Sequence, residues 1–252
     1  KPEFHDDFLI GARPFLALLL ADMQNQIMIN VHPGETRVAL LENSSFSELH
    51  VERKDSASVV GNVVKGRVSR VLPGMQAAFV DIGLEKAAFL YVGDYFDNTA
   101  PDAKEESRGR GRHRRGNVPG IETVLSEGQE IVVQIAKAPI GSKGARITSN
   151  ISIPGRHLVL TPWSKRIGVS RRIGSDKERR RLREIIQRLK PDNLGFIIRT
   201  AGDGVREADL EADIRYLRST WEKIQSRHAE TMVPHVLHSE PDLPLRIIRD
   251  AA

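Results

Sequence analysis

The chain has 252 residues, with 38 Lys and Arg against 33 Asp and Glu, a formal charge of +5 and no cysteine. That length suits one or two globular domains, and a hydrophobic fraction of 40% is enough to build cores. Without cysteine there is no disulfide framework, thiol nucleophile or thiolate zinc site, which fits a reducing compartment.

Near the start, the apolar run Phe15–Ala21 is far shorter than the ~20 residues of a membrane span. Glu3, Asp6 and Asp7 precede it where a secretion signal carries basic residues. Residues 1–26 are therefore read as an appended or fragmentary segment, with a single helix expected over residues 1–22.

From Ile27 the pattern turns to strands. Ile27–Val31 and Thr36–Leu41 flank His32-Pro-Gly34, a hairpin turn, and a third run, Phe46–Val51, follows Asn43-Ser-Ser45. In Gly61–Leu72, Val64, Gly66 and Val68 alternate with Lys65, Arg67 and Ser69, which predicts an apolar inner face and a polar outer one. Further strands are expected at Gln76–Ile82, Ala87–Tyr91, Gln129–Lys137 and Lys143–Thr148. These five short strands suit a small closed barrel of OB type. Residues 99–120 interrupt them with a polar insertion ending in Arg108-Gly-Arg-Gly-Arg-His-Arg-Arg-Gly116, which cannot form a core and reads as a mobile loop.

The last third changes character. Ser175-Asp-Lys-Glu178 is a capping box ahead of Leu182, Ile185, Ile186 and Leu189 at helical spacing, and Pro191 ends that helix. Gly195–Ala201 reads as a short buried strand with a polar end. A longer helix follows from about Glu207 to His228, with Leu210, Ile214, Leu217, Trp221 and Ile224 on one face. Helix, strand and helix imply a small α/β layer distinct from the barrel.

On the residues alone, no complete active site is visible. Metal-dependent phosphodiester chemistry needs clustered carboxylates. Asp209 and Asp213 lie four apart on a helix, but they share a surface with Arg206 and Arg215, and solvated ion pairing is the better account. The eight histidines show no metal-ligand spacing, and no serine sits in a nucleophile elbow. Recognition chemistry is better represented. Phe79 and Phe89, on neighbouring strands, are either base-stacking platforms or core residues. Lys65, Arg67, Arg70, Lys137 and Lys143 would supply a positive field around them, though each alone is ordinary surface charge. Arg199-Thr200 closes an apolar strand. A guanidinium fork beside a hydroxyl suits a terminal phosphate, and a strand-end Arg capping a helix or pairing with Glu is equally compatible.

The run Gly61–Gly83, with Lys86-Ala-Ala-Phe-Leu90, strongly resembles the bacterial ribonuclease E/G family, in wording closer to its ribonuclease G branch. Gly144-Ala-Arg-Ile-Thr148, Gly168–Ile173, Phe196–Ala201 and Leu245–Asp250 extend the resemblance from about Ile27 to Asp250, outside the Arg-rich insertion. It implies an α+β multi-subdomain protein. A five-stranded OB-type (S-one) barrel over 61–150 is inserted in a partial RNase H-like subdomain over 27–60 and 234–252, and a small α/β 5′-sensor region covers 151–233.

In function, the resemblance implies the RNA-recognition part of a magnesium-dependent endoribonuclease. That enzyme cuts single-stranded AU-rich RNA in rRNA and mRNA processing and decay, in the bacterial cytoplasm, and senses a 5′-monophosphate. By position, the family's 5′-phosphate pocket falls on Arg199 and Thr200 with Gly155 and Val159, and its barrel contacts on Phe79, Phe89 and Lys143. Lys65, Arg67, Lys137, Arg171 and Arg172 join as candidate RNA contacts. The catalytic aspartates that hold Mg²⁺ in the family, and its cysteine zinc linker, match nothing in this sequence, so this chain alone is expected to be inactive, with homo-oligomers left to the full-length protein. The competing reading is a stand-alone, non-catalytic RNA-binding module.

Overall fold

The computed structural model describes residues 25–53, 59–96 and 119–251. The helix expected over residues 1–22 and nearly all of the Arg/Gly-rich insertion lie outside them. The described chain forms two compact units: residues 25–53 with residues 241–251, and Val59–Glu240.

The first unit is an antiparallel meander of β1 (Asn25–Val31), β2 (Glu35–Glu42) and β3 (Ser45–Arg53). His32 and Glu35 exchange backbone hydrogen bonds across the expected hairpin turn, at 2.9 and 3.2 Å. Asn43 and Ser44 close the second hairpin with both φ values positive, as a tight turn between right-twisted strands requires. Helix Leu243–Ala251 belongs to the same unit. Glu52 accepts from its Leu243 N–H at 3.3 Å and from the Arg246 guanidinium at 2.7 Å.

The second unit begins with the barrel. Its strands are β4 (Val63–Leu72), β5 (Ala77–Asp81), β6 (Ala88–Tyr91), β7 (Glu130–Lys137) and β8 (Arg146–Thr148). Pairing runs β4-β5-β6-β8-β7 and back to β4, which closes the ring. All pairs are antiparallel except β6–β8. Every second residue points inward, so Val64, Val68, Ala78, Val80, Leu90 and Ile147 fill the interior. All five expected barrel strands form.

The remainder of this unit is a four-stranded mixed sheet in the order β11-β12-β10-β9: β9 (Ile153–Pro154), β10 (Leu158–Thr161), β11 (Ile167–Val169) and β12 (Gly195–Ile198). Helix α1 (Val92–Phe96) follows β6, α2 (Asp176–Leu189) precedes β12, and α3 (Glu207–Glu230) follows it. The capping serine does its work: Ser175 Oγ accepts from the Glu178 N–H at 3.3 Å. Leu182, Ile186, Leu210 and Leu217 reach the sheet, where Phe196 and Ile198 are fully buried. A last strand, β13 (His235–His238), pairs antiparallel with the first residues of β4, on the edge that β5 uses further along.

Two side chains depart from the sequence expectation. Alternation along β4 puts Lys65 outward beside Arg67, but Lys65 is 8% exposed. Its ammonium donates to the carbonyls of Thr231 at 2.9 Å and His228 at 3.3 Å and pairs with Glu130 at 3.1 Å. The C-terminal end of α3 covers this stretch of β4, so both faces of the strand are buried there. The second departure, Asp213, lies at the candidate site.

Candidate nucleic-acid interface

Three turns meet at one end of the four-stranded sheet because of its register. Leu158 pairs with Ile198 and Val169 pairs with Ile198 from the other side, while Val159 pairs with Pro154. The residues before β10, after β11 and after β12 are thereby gathered. Arg199 N–H donates to the His157 carbonyl at 2.8 Å, and its guanidinium Nη1 donates to the Gly155 carbonyl at 2.6 Å. Thr200 Oγ1 lies 3.0 Å from Ser170 Oγ, and the Ser170 N–H donates to the Ile198 carbonyl at 2.8 Å. His157 Nδ1 is 2.9 Å from the Ala201 carbonyl. Gly155, Arg199 and Thr200, which sequence reasoning grouped, are in one cluster, and Ser170 joins them. Val159 is half-buried on β10 beside Pro154 and exposed Ile197.

Charged groups brace these turns. Arg179 Nη1 donates to the Ser170 carbonyl at 2.9 Å. Glu178 accepts from Arg181 Nε at 2.7 Å and from the Gly204 N–H at 3.0 Å, so the N-terminus of α2 is tied to the loop after Thr200. The Arg181 guanidinium, aided by that N–H, holds the Glu178 carboxyl below the ordinary carboxylate value. Arg171 and Arg172 are exposed on the loop that carries Ser170, and the Arg172 N–H donates to Ser170 Oγ at 3.3 Å.

Asp213 corrects the expectation of a solvated ion pair. Asp209 does pair with Arg206, at 3.1 Å, and that guanidinium lowers the Asp209 pKa. Arg215 pairs with Glu211 instead. Asp213 is 8% exposed and accepts the N–H groups of Arg156, His157 and Leu158 at 3.2, 2.8 and 2.9 Å. A signal for this was present: Asp213 lies three residues after Leu210 and four before Leu217, within the apolar stripe. The carboxylate sits so close to the turn that a Cβ on Gly155 would collide with Asp213 Oδ1.

The outer surface of the barrel carries the other candidates. Phe79 and Phe89 are direct cross-strand partners, half-buried, and absent from the barrel core. Their rings meet edge to face, with centroids 6.1 Å apart. In register, Arg70 sits beside Phe79, Arg146 beside Phe89, and Lys137 beside Arg146. Arg146, which sequence reasoning did not single out, is held by Asp94 at 2.8 Å. Lys137 and Lys143 are exposed, and Arg67 is exposed and paired with Glu130 at 3.1 Å. Lys65 is not part of this surface. Among the described residues no three His, Asp or Glu side chains converge to hold a metal ion. No helix among them is long and apolar enough to cross a membrane.

Residues 152–252 match the model of the ribonuclease E/G family. The chain is 44% identical over 225 residues to ribonuclease G of Haemophilus influenzae, which covers 89% of this chain and 45% of that protein. It is 44% identical over 230 residues to ribonuclease G of Escherichia coli K12, covering 91% of this chain and 46% of that one. Ribonuclease E of the same strain is 35% identical over 230 residues, 90% of this chain and 21% of that protein. The chain thus spans about half the length of the ribonuclease G relatives it matches.

Proposed function

The chain belongs to the ribonuclease E/G family, and we propose that it holds RNA for an endoribonuclease, with the barrel gripping a single strand and the Arg199 cluster receiving a 5′-monophosphate. The observation that carries this reading is the convergence of Arg199, Thr200 and Ser170 at one sheet end. A guanidinium whose plane is fixed by the Gly155 carbonyl, next to two hydroxyls 3.0 Å apart, offers charge and directional donors to a tetrahedral dianion. A 5′-hydroxyl end lacks the charge to use it. Val159 and Ile197, on the adjoining sheet surface, would support the terminal nucleoside.

On the barrel, the Phe79–Phe89 pair would stack bases while Arg70, Lys137 and Lys143 offset phosphate charge. Arg171 and Arg172 extend the positive surface from the phosphate cluster. In this reading residues 151–233 form the 5′-sensor region, and the strands of 27–60 with residues 234–252 belong to an RNase H-like subdomain. The substrate is single-stranded AU-rich RNA in the bacterial cytoplasm. Binding energy gathered at the 5′ end and on the barrel positions a distant scissile bond. No described residue is assigned to the hydrolytic step, and magnesium enters only as the family's cofactor.

The test is binding of one short single-stranded RNA carrying either a 5′-monophosphate or a 5′-hydroxyl, with Mg²⁺ present and RNA integrity followed. Tighter binding of the phosphorylated end, abolished in Arg199→Ala, is the expected result. Equal affinity for both ends would reject the phosphate assignment and leave a generic RNA-binding barrel.

A further inference from the structure

We infer that Asp213 is a positioning residue for the phosphate cluster, setting the preference for a phosphorylated RNA end without touching the RNA. The inference rests on the reading of Arg199 as the phosphate ligand. A carboxylate among Leu210, Ile214 and Leu217 is costly to bury, and a leucine there would extend the apolar stripe of α3. What the carboxylate obtains in return is specific. Its two oxygens take three consecutive N–H groups, those of Arg156, His157 and Leu158. These are charge-assisted bonds, and together they fix the path of the whole turn.

That turn is the one that holds Arg199. The Gly155 N–H closes it on the Leu158 carbonyl at 2.7 Å, and the Gly155 carbonyl then receives the Arg199 guanidinium. The His157 carbonyl receives the Arg199 N–H, and the His157 ring meets the Ala201 carbonyl. The backbone and the side chain of Arg199 are therefore both referenced to a segment whose own conformation Asp213 dictates. The bare Cα of Gly155 lets the carboxylate approach this closely, since an added Cβ would collide with it. Without the carboxylate these three N–H groups lose the acceptor that holds the turn in this path, and the turn must reorganise. The guanidinium would move with it.

The experiment measures, for the full 252-residue chain, the affinity ratio of 5′-monophosphate to 5′-hydroxyl RNA. It compares the unaltered protein, Asp213→Asn, Arg199→Ala and the double variant. The amide of Asp213→Asn turns a donor toward the N–H groups. The expected ratio is about tenfold or more in the unaltered protein. It should fall to near unity in Asp213→Asn, with the 5′-hydroxyl affinity of the folded protein little changed. In the Arg199→Ala background, where the ratio is already near unity, Asp213→Asn should change neither the ratio nor the 5′-hydroxyl affinity, whereas a general loss of fold would lower both affinities together. If Asp213→Asn does not fold, Asp213→Glu, which keeps the charge but displaces it by one methylene, should lower the ratio in the same way. An unchanged ratio in a folded Asp213 variant, or an equal fall in 5′-monophosphate and 5′-hydroxyl affinity, would overturn the inference while the phosphate reading stands. A ratio of one in the unaltered protein would overturn both.

Discussion

Phe79 lies directly opposite Phe89 across β5 and β6, with ring centroids 6.1 Å apart and ring planes at 69°. Their neighbours in each strand, Ala78, Val80, Ala88 and Leu90, are fully buried, so strand alternation turns both rings to the outside. An edge-to-face pair leaves one ring face open to a flat partner, and a nucleobase is such a partner. Phe79→Ala and Phe89→Ala should each weaken binding of single-stranded RNA by about 1–3 kcal/mol. The two losses should add incompletely, because each ring supports the other. Titrations with a 5′-hydroxyl RNA separate this effect from the phosphate cluster. Unaltered affinity in both variants would show the rings serve packing alone.

Arg199→Lys distinguishes a fork from a point charge. An ammonium keeps the charge but cannot hold the Gly155 carbonyl and a phosphate with one rigid plane. The lysine variant should retain part of the preference for a phosphorylated end and lose most of the discrimination seen with arginine. Full retention would mean that charge alone accounts for recognition.

Lys65→Met keeps the length of the side chain and removes its ammonium. The Thr231 and His228 carbonyls at the end of α3 would lose their donor, and Glu130 one of its two cations. A destabilisation of about 1–3 kcal/mol is expected, read as a lower denaturation midpoint at unchanged slope. RNA affinity of the folded variant should be unchanged, in contrast to Lys143→Ala. A drop in affinity with normal stability would return Lys65 to the binding surface.

Acid should weaken the fold in two steps. Burial lowers the His238 pKa from 6.5, with Arg227 adding to it and Glu240 opposing. The unfolded chain then binds a proton that the folded one refuses, so stability is full above about pH 6.5 and declines as the pH falls toward the depressed folded value. Glu178, lowered from 4.5 by Arg181, acts in the same direction in a lower window, its contribution lost as the pH drops through its folded value. Melting temperature followed against pH should fall below 6.5, and His238→Gln should flatten the upper step. A melting temperature that rises between pH 7 and 5.5 would contradict the assignment.

Much of this architecture was legible because it depends on local pattern. Alternation marked the five barrel strands, Ser175 marked the start of α2, and the stripe from Leu210 to Ile224 marked α3. The apolar run before Arg199 marked β12, although the strand stops at Ile198 and a short 3-10 helix takes Thr200–Gly202. Lys65 and Asp213 were misjudged for one shared reason. Each is a charged residue whose partners are backbone groups distant in sequence; the apolar stripe marks Asp213 as buried, but side-chain spacing does not name the N–H groups or carbonyls that receive either residue. Ser170 escaped notice likewise, since its approach to Thr200 depends on the parallel pairing of β11 with β12.

Helix α3 joins the turn beneath the phosphate cluster to strand β4 of the barrel. Asp213 on its first half grips the turn beneath the phosphate cluster, and Lys65 of β4 grips its last carbonyls at Thr231 and His228. From Asp213 to Thr231 an α-helix extends about 27 Å at 1.5 Å per residue. The helix therefore works as a gauge. On the proposed function it sets how far the seated end lies from the barrel, so an oligonucleotide too short to bridge that distance would gain nothing from a second contact. Lengthening the RNA one nucleotide at a time should then produce a threshold in affinity for phosphorylated ends, at a length this helix dictates.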